Sequence, residues 1–101
     1  MELSRTRSEV LKTLEEHRAT LRKLGARRLG LFGSVARDEA GPASDLDFVV
    51  ELDERTFDRY MDLELFLEEL FGCRVDLVLA SAIKPRLRSI ILREAVYAAG
   101  L

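Results

Sequence analysis

The chain is short of the residues on which many functions depend. It has one cysteine, Cys73, and one histidine, His17, among 101 residues, and no asparagine or glutamine. A single cysteine excludes an internal disulfide and a cysteine-built zinc site. Cys73 reads instead as a small buried hydrophobe beside a strand. A Ser-His-Asp triad needs its base within hydrogen-bond reach, and His17 falls in a different predicted element from Ser34. No apolar run approaches the ~20 residues of a membrane span. The N-terminus has no long apolar core, so no secretory signal is expected. Charge of one sign is lacking too: 16 basic and 18 acidic residues leave a formal net charge of −2. That argues against a dominant sequence-independent nucleic-acid mode, which needs a basic surface. Together these absences point to a cytoplasmic protein. Depletion of thermolabile amides matches a thermophile tendency, and the bias to arginine follows genome composition as readily.

What is present is globular. Apolar residues make up 48% and charged residues 34%, which suits one domain over residues 1–101 with one modest core. No internal repeat, low-complexity tract or linker interrupts it.

Apolar periodicity predicts the elements. Val10, Leu14, His17, Leu21 and Leu24 mark a helix over Ser4–Leu24, stopped by Gly25. His17 on that stripe reads as a packed or boundary residue rather than a ligand. Arg27–Phe32 reads as a strand, Val35–Glu39 as a short helix, and residues 40–44 as a loop. Leu46–Leu52 is a second strand. Thr56 is a suitable N-cap for a helix over Phe57–Phe71, ended by Gly72. Met61 and Leu65 fall partly outside its apolar stripe, which reads as incidental exposure or as part of a partner surface. Arg74–Leu79 is a third strand. A last helix lies within Ser81–Glu94, with Pro85 in its first turn. Its buried face is predicted to be Leu87, Ile90 and Ile91; Lys84, Arg86, Arg88 and Arg93 read as a solvated face, with a docking surface for an acidic partner as the alternative. The order α-β-α-β-α-β-α, with too little chain between the first two strands for a parallel crossover, predicts a mixed α/β fold. It would be a small mixed sheet with flanking helices and the acids at one edge of a cleft.

The chain is organised around Gly33-Ser34, Asp45-Leu46-Asp47 and Asp76. Side chains alternate along a strand, so Asp45 and Asp47 would face the same way, with Cα atoms roughly 6–7 Å apart. Carboxylates so spaced can converge on two divalent ions about 3.5–4 Å apart, the separation used for in-line displacement at phosphorus. Asp76 interrupts an apolar strand, where an unpaired carboxylate is unfavourable without a counter-ion. Gly33 lets backbone approach a ligand, and a helix start offers free N–H groups to phosphate. Ser34 can also simply cap that helix. Arg37 would lie close to a bound phosphate, or be a solvated charge. Each piece alone is commonplace; Asp-x-Asp is usually turn or cap chemistry.

Gly33-Ser34, Asp45-Leu46-Asp47 and the strand-borne Asp76 together resemble the nucleotidyltransferase superfamily that includes DNA polymerase beta. The short chain, the Gly-Ser-x-Ala-Arg run and the ending from Lys84-Pro85-Arg86-Leu87 to Arg93-Glu94-Ala95-Val96-Tyr97 resemble the minimal nucleotidyltransferase (MNT) antitoxin family. Asp38 departs from the glycine that family more often has after the arginine. The resemblance implies Asp45, Asp47 and Asp76 as catalytic residues and ligands of two Mg²⁺ ions. It implies Gly33, Ser34 and Arg37 as nucleotide-binding residues. It also implies ATP as substrate, a HEPN-domain toxin as partner, and AMP transfer to a tyrosine hydroxyl of that toxin. A homo-oligomer, or a hetero-oligomer with the toxin, is compatible with it. Two other readings stay open: a non-catalytic nucleotide-binding antitoxin acting by contact, and a small-molecule nucleotidyltransferase subunit.

Overall fold

The computed structural model describes residues 6–37 and 45–101. Ser4, Asp38, Glu39 and the 40–44 loop, which figure in the sequence expectations, lie outside the described residues.

The N-terminal helix is two helices, not one. Helix α1 spans Arg7–Glu16 and α2 spans Arg18–Lys23. The break falls at His17, which has φ −110° and ψ 17°. Its ring Nδ1 lies 2.9 Å from the Thr13 carbonyl oxygen. That is the acceptor its own N–H would use in a continuous helix, and the N–H turns to Leu14 O instead, at 3.1 Å. Side chains that take an i−4 carbonyl bend helices in this way. The ring also meets Phe66 edge-on, with centroids 6.2 Å apart. His17 is thus a packed boundary residue, as its place on the stripe implied.

Strand β1 (Ala26–Phe32) leads into a four-residue helix, α3 (Gly33–Ala36). Strand β2 spans Leu46–Leu52, helix α4 Phe57–Phe71 and strand β3 Val75–Leu79. The Thr56 hydroxyl accepts from the Arg59 N–H at 3.2 Å, and Gly72 closes α4 in the left-handed conformation at φ +65°. Both caps agree with the sequence reading. A 3-10 turn (Ala80–Ala82) then leads to α5 (Pro85–Glu94) and to a two-residue strand, β4 (Val96–Tyr97), that the sequence reading missed.

The sheet has the order β3-β2-β1-β4. β1 runs antiparallel to both β2 and β4, and β2 parallel to β3. The sheet is therefore mixed, as expected. One face carries Leu46, Phe48, Val50 and Leu52, joined by Leu29, Leu31 and Leu77. It buries against Val10, Leu14 and Leu21 from the first two helices and Leu63 and Leu67 from α4. Cys73 is half-buried and packs against this core. The other face holds a smaller cluster of Val49, Ala80 and Ile83, packed by Phe32, Val78, Ile91 and Tyr97.

Helix α5 lies over that second face, and its predicted buried side is corrected. Leu87 is 42% exposed and Ile90 46%, and no α5 residue is fully buried; Ile91 alone of the three packs inward. The reason is the surface beneath. Side chains alternate along a strand, so this face carries Asp47, Glu51 and Asp76 as well as Val49 and Val78. It offers a helix little apolar area to cover.

Candidate active site

The polar end of that second face is built by strand register. Asp47 pairs with Phe32 at the end of β1 and with Asp76 at the start of β3. In a parallel pair, neighbouring strands lie about 4.8 Å apart. Two carboxylates distant in sequence therefore become nearest neighbours on one face. Asp47 is half-buried and Asp76 exposed. Asp45 is exposed and lies one residue ahead of β2.

Gly33 follows Phe32 and turns the chain from β1 into α3 at φ +79°. A Cβ at this position would run into the carboxyl group of Asp47. Glycine is required twice over: for the left-handed backbone and for its contact with that carboxylate. Ser34 is half-buried in the first turn of α3. It does not cap the helix; the capping position belongs to Phe32, and no side chain bonds there.

The acids feel one another. Burial raises the Asp47 pKa above the ordinary carboxylate value of 3.8, Asp76 and Asp45 raise it further, and Arg37 pulls it down. Arg37 ends α3, and its Nη1 donates to Glu94 Oε1 at 2.7 Å. That ion pair ties α3 to the end of α5, with side-chain exposures of 44% and 33%. Glu94 was not singled out in the sequence; 57 residues from Arg37, it carries no local signal. Tyr60 also borders this region. Its hydroxyl donates to the Leu77 carbonyl at 2.6 Å. Its pKa is raised by burial, then by Glu64, with a further contribution from Asp76.

Among the described residues, no three His, Cys, Asp or Glu side chains gather into a ready-made metal cage. Mg²⁺ rarely asks for one. It usually takes one or two carboxylates and completes its shell with water and substrate phosphate. The donor set here is all carboxylate oxygen, which suits a hard cation. A half-buried Asp47 whose ionisation is opposed by two neighbouring acids is a place where added positive charge relieves repulsion. The residues present fit a divalent ion.

The mixed sheet thus sets a Gly-Ser turn against carboxylates at the head of two parallel strands, an arrangement that suits a divalent ion holding phosphate. The chain belongs to the nucleotidyltransferase domain family, which matches residues 11–98. It is 40% identical over 94 residues to the protein adenylyltransferase MntA of Thermococcus cleftensis, covering 91% of this chain and 95% of that one. A solved structure described as a minimal nucleotidyltransferase is similar with a TM-score of 0.76 and 46% identity, covering 87% of this chain and 92% of that one. A toxin-antitoxin structure with AMP-PNP shares the fold at a TM-score of 0.68 and 20% identity, covering 98% of this chain and 75% of that one. The protein is a nucleotidyltransferase. Among the described residues, no helix is long and apolar enough to cross a membrane.

Proposed function

We propose that this protein is the antitoxin of a toxin-antitoxin pair and acts in the cytoplasm, transferring AMP from ATP to a tyrosine hydroxyl of a HEPN-domain toxin. The observation that carries the reading is the placement of Asp47 across from Asp76 with Gly33 packed on its carboxyl group. The relative named a protein adenylyltransferase, similar over nearly its whole length, supports protein as the acceptor. The fold shared with a toxin-antitoxin structure accords with a toxin as partner.

Asp45, Asp47 and Asp76 would hold two Mg²⁺ ions, which when bound neutralise phosphate charge and make the acceptor hydroxyl more acidic. The backbone N–H groups of Gly33 and Ser34 bind the β- and γ-phosphates, and Arg37 lies alongside. Asp76 accepts the proton of the acceptor hydroxyl. A new bond forms between the tyrosine oxygen and the α-phosphorus. The bond from that phosphorus to the α,β-bridging oxygen breaks, and pyrophosphate leaves with the electron pair. Positioning and charge carry most of the rate.

The test is incubation with ATP labelled at the α-phosphate, Mg²⁺ and an extract of the source cells. A labelled protein that requires both Asp45 and Asp47 supports the proposal. A tight complex with unlabelled partner indicates neutralisation by contact alone. A labelled small molecule indicates a different acceptor class. Either of the last two overturns the protein-transfer reading.

A further inference from the structure

The second sheet face has another concavity at the end away from the acids. It is a cleft of about 430 Å³ lined by Arg28, Glu51, Ser81, Arg88 and Tyr97, among others. Glu51 is four residues along β2 from Asp47, so the two positions are about 13 Å apart. They share a face, and α5 lies over the strip between them. A second hollow of about 300 Å³ adjoins the cleft, sharing Glu51 and Ser81 and adding Arg27 and Arg55.

Four arginines therefore line two adjoining depressions, against the two carboxylates Glu51 and Asp53, on a protein whose net charge is −2. A register irregularity between Ala26 and Arg28 lets both Arg27 and Arg28 stay exposed. The side chains of Arg27 and Arg55 have no hydrogen-bond or ion-pair partner among the described residues. Arg28 lies over the Tyr97 ring, 3.9 Å from its centroid. Its Nη1 is 3.4 Å from Glu51 Oε2. A contact that long between half-exposed side chains is readily exchanged for a better acceptor. Arg88 donates to the Ala80 carbonyl at 3.3 Å, which holds its guanidinium at the cleft. Planar forks fixed in this way suit the paired oxygens of phosphate, and the Ser81 hydroxyl adds a neutral donor.

We propose that this cleft is a second binding site, for a condensed phosphate of pyrophosphate or nucleoside diphosphate size. It is separate from the acid cluster and needs no divalent ion. The inference does not rest on the proposed activity.

The difference in metal requirement supplies the test. In EDTA the three carboxylates repel an anion, whereas the arginines attract it. Titration calorimetry with inorganic pyrophosphate and with ADP, in EDTA at low salt, should show one site on the wild-type protein. Amide shifts should map to Arg28, Ser81, Arg88 and Tyr97 and leave Gly33 and Ser34 unmoved. The Arg28→Ala/Arg88→Ala double variant should weaken binding at least about tenfold. Arg27→Glu/Arg55→Glu alters exposed side chains that have no partner among the described residues, so it should retain the fold; it should weaken binding several-fold. Both variants should retain nucleotidyl transfer at the wild-type rate. Equal affinity for the two probes means phosphate alone is read; tighter ADP means the cleft also holds the nucleoside, and both support the site. Absence of millimolar or tighter binding to the wild-type, unchanged affinity in the variants, or shifts centred on Gly33-Ser34 would overturn it.

Discussion

A methyl group on residue 33 would occupy the space of the Asp47 carboxyl group, on a backbone already at φ +79°. Gly33→Ala should therefore act twice. The left-handed conformation costs a non-glycine residue roughly 1–2 kcal/mol. The displaced Asp47 should lower nucleotidyl transfer by about a hundredfold, the scale of a 1 Å misplacement at a reacting centre. Thermal melting and a labelled-ATP assay read the two effects separately. An active Gly33→Ala protein would remove Asp47 from the chemistry.

Asp47 ionises less easily in the fold than in an unfolded chain, because burial, Asp76 and Asp45 outweigh Arg37. Such a group destabilises the fold once pH exceeds its raised value, and has no effect below the ordinary 3.8. In chelator at pH 7, Asp47→Asn should raise the melting temperature, with the gain shrinking as pH falls toward 4. An unchanged or lowered value at pH 7 would count against the mutual repulsion of the acids. Millimolar Mg²⁺ should stabilise the wild-type protein and stabilise Asp47→Asn less.

The Arg37–Glu94 pair is short but half-exposed. Glu94→Gln should change stability by less than about 1 kcal/mol, as expected of such pairs. Arg37→Ala removes a cation that lowers the Asp47 pKa. It should shift the acidic limb of the pH–rate profile upward, whereas Glu94→Gln shifts it less. A profile unmoved by Arg37→Ala would separate that arginine from the acids.

Two apolar substitutions should differ sharply. Phe48 is fully buried and packs near Phe71, with ring centroids 5.8 Å apart; Phe48→Ala should cost about 3–5 kcal/mol. Ile90 is 46% exposed on α5, and Ile90→Ala should stay within about 0.5 kcal/mol. Urea denaturation measures both. A large loss at Ile90 would mean that α5 seats more deeply.

Local signals made β2 and α4 legible, with the bounds the sequence implied. Alternation marks β2, and Thr56 and Gly72 punctuate α4. What stayed hidden was non-local. The break at His17 is the exception: its ring takes the Thr13 carbonyl oxygen four residues back, a local contact that apolar periodicity does not report. The strand Val96–Tyr97 is too short for any periodicity, and exists because it pairs with Gly30 and Leu31. The apolar residues of α5 were visible, but not the polar sheet face beneath them. In the candidate site, the residue types and spacing singled out Gly33, Asp45, Asp47 and Asp76. Register, which no spacing reveals, sets Asp47 opposite Asp76. Glu94 needed the folded chain to be found.

The sheet order leaves β3 outermost. Its sequence, Val75-Asp76-Leu77-Val78-Leu79, is otherwise an apolar strand whose outer edge pairs with no strand among the described residues, the kind of segment that recruits strands from other molecules. Asp76 is then also a gatekeeper: a charge on an exposed edge discourages edge-to-edge aggregation. Replacing it with alanine would create an uninterrupted apolar edge and confound lost chemistry with lost solubility. Asp76→Asn keeps a polar side chain there, and is the substitution that would let chemistry be read by itself.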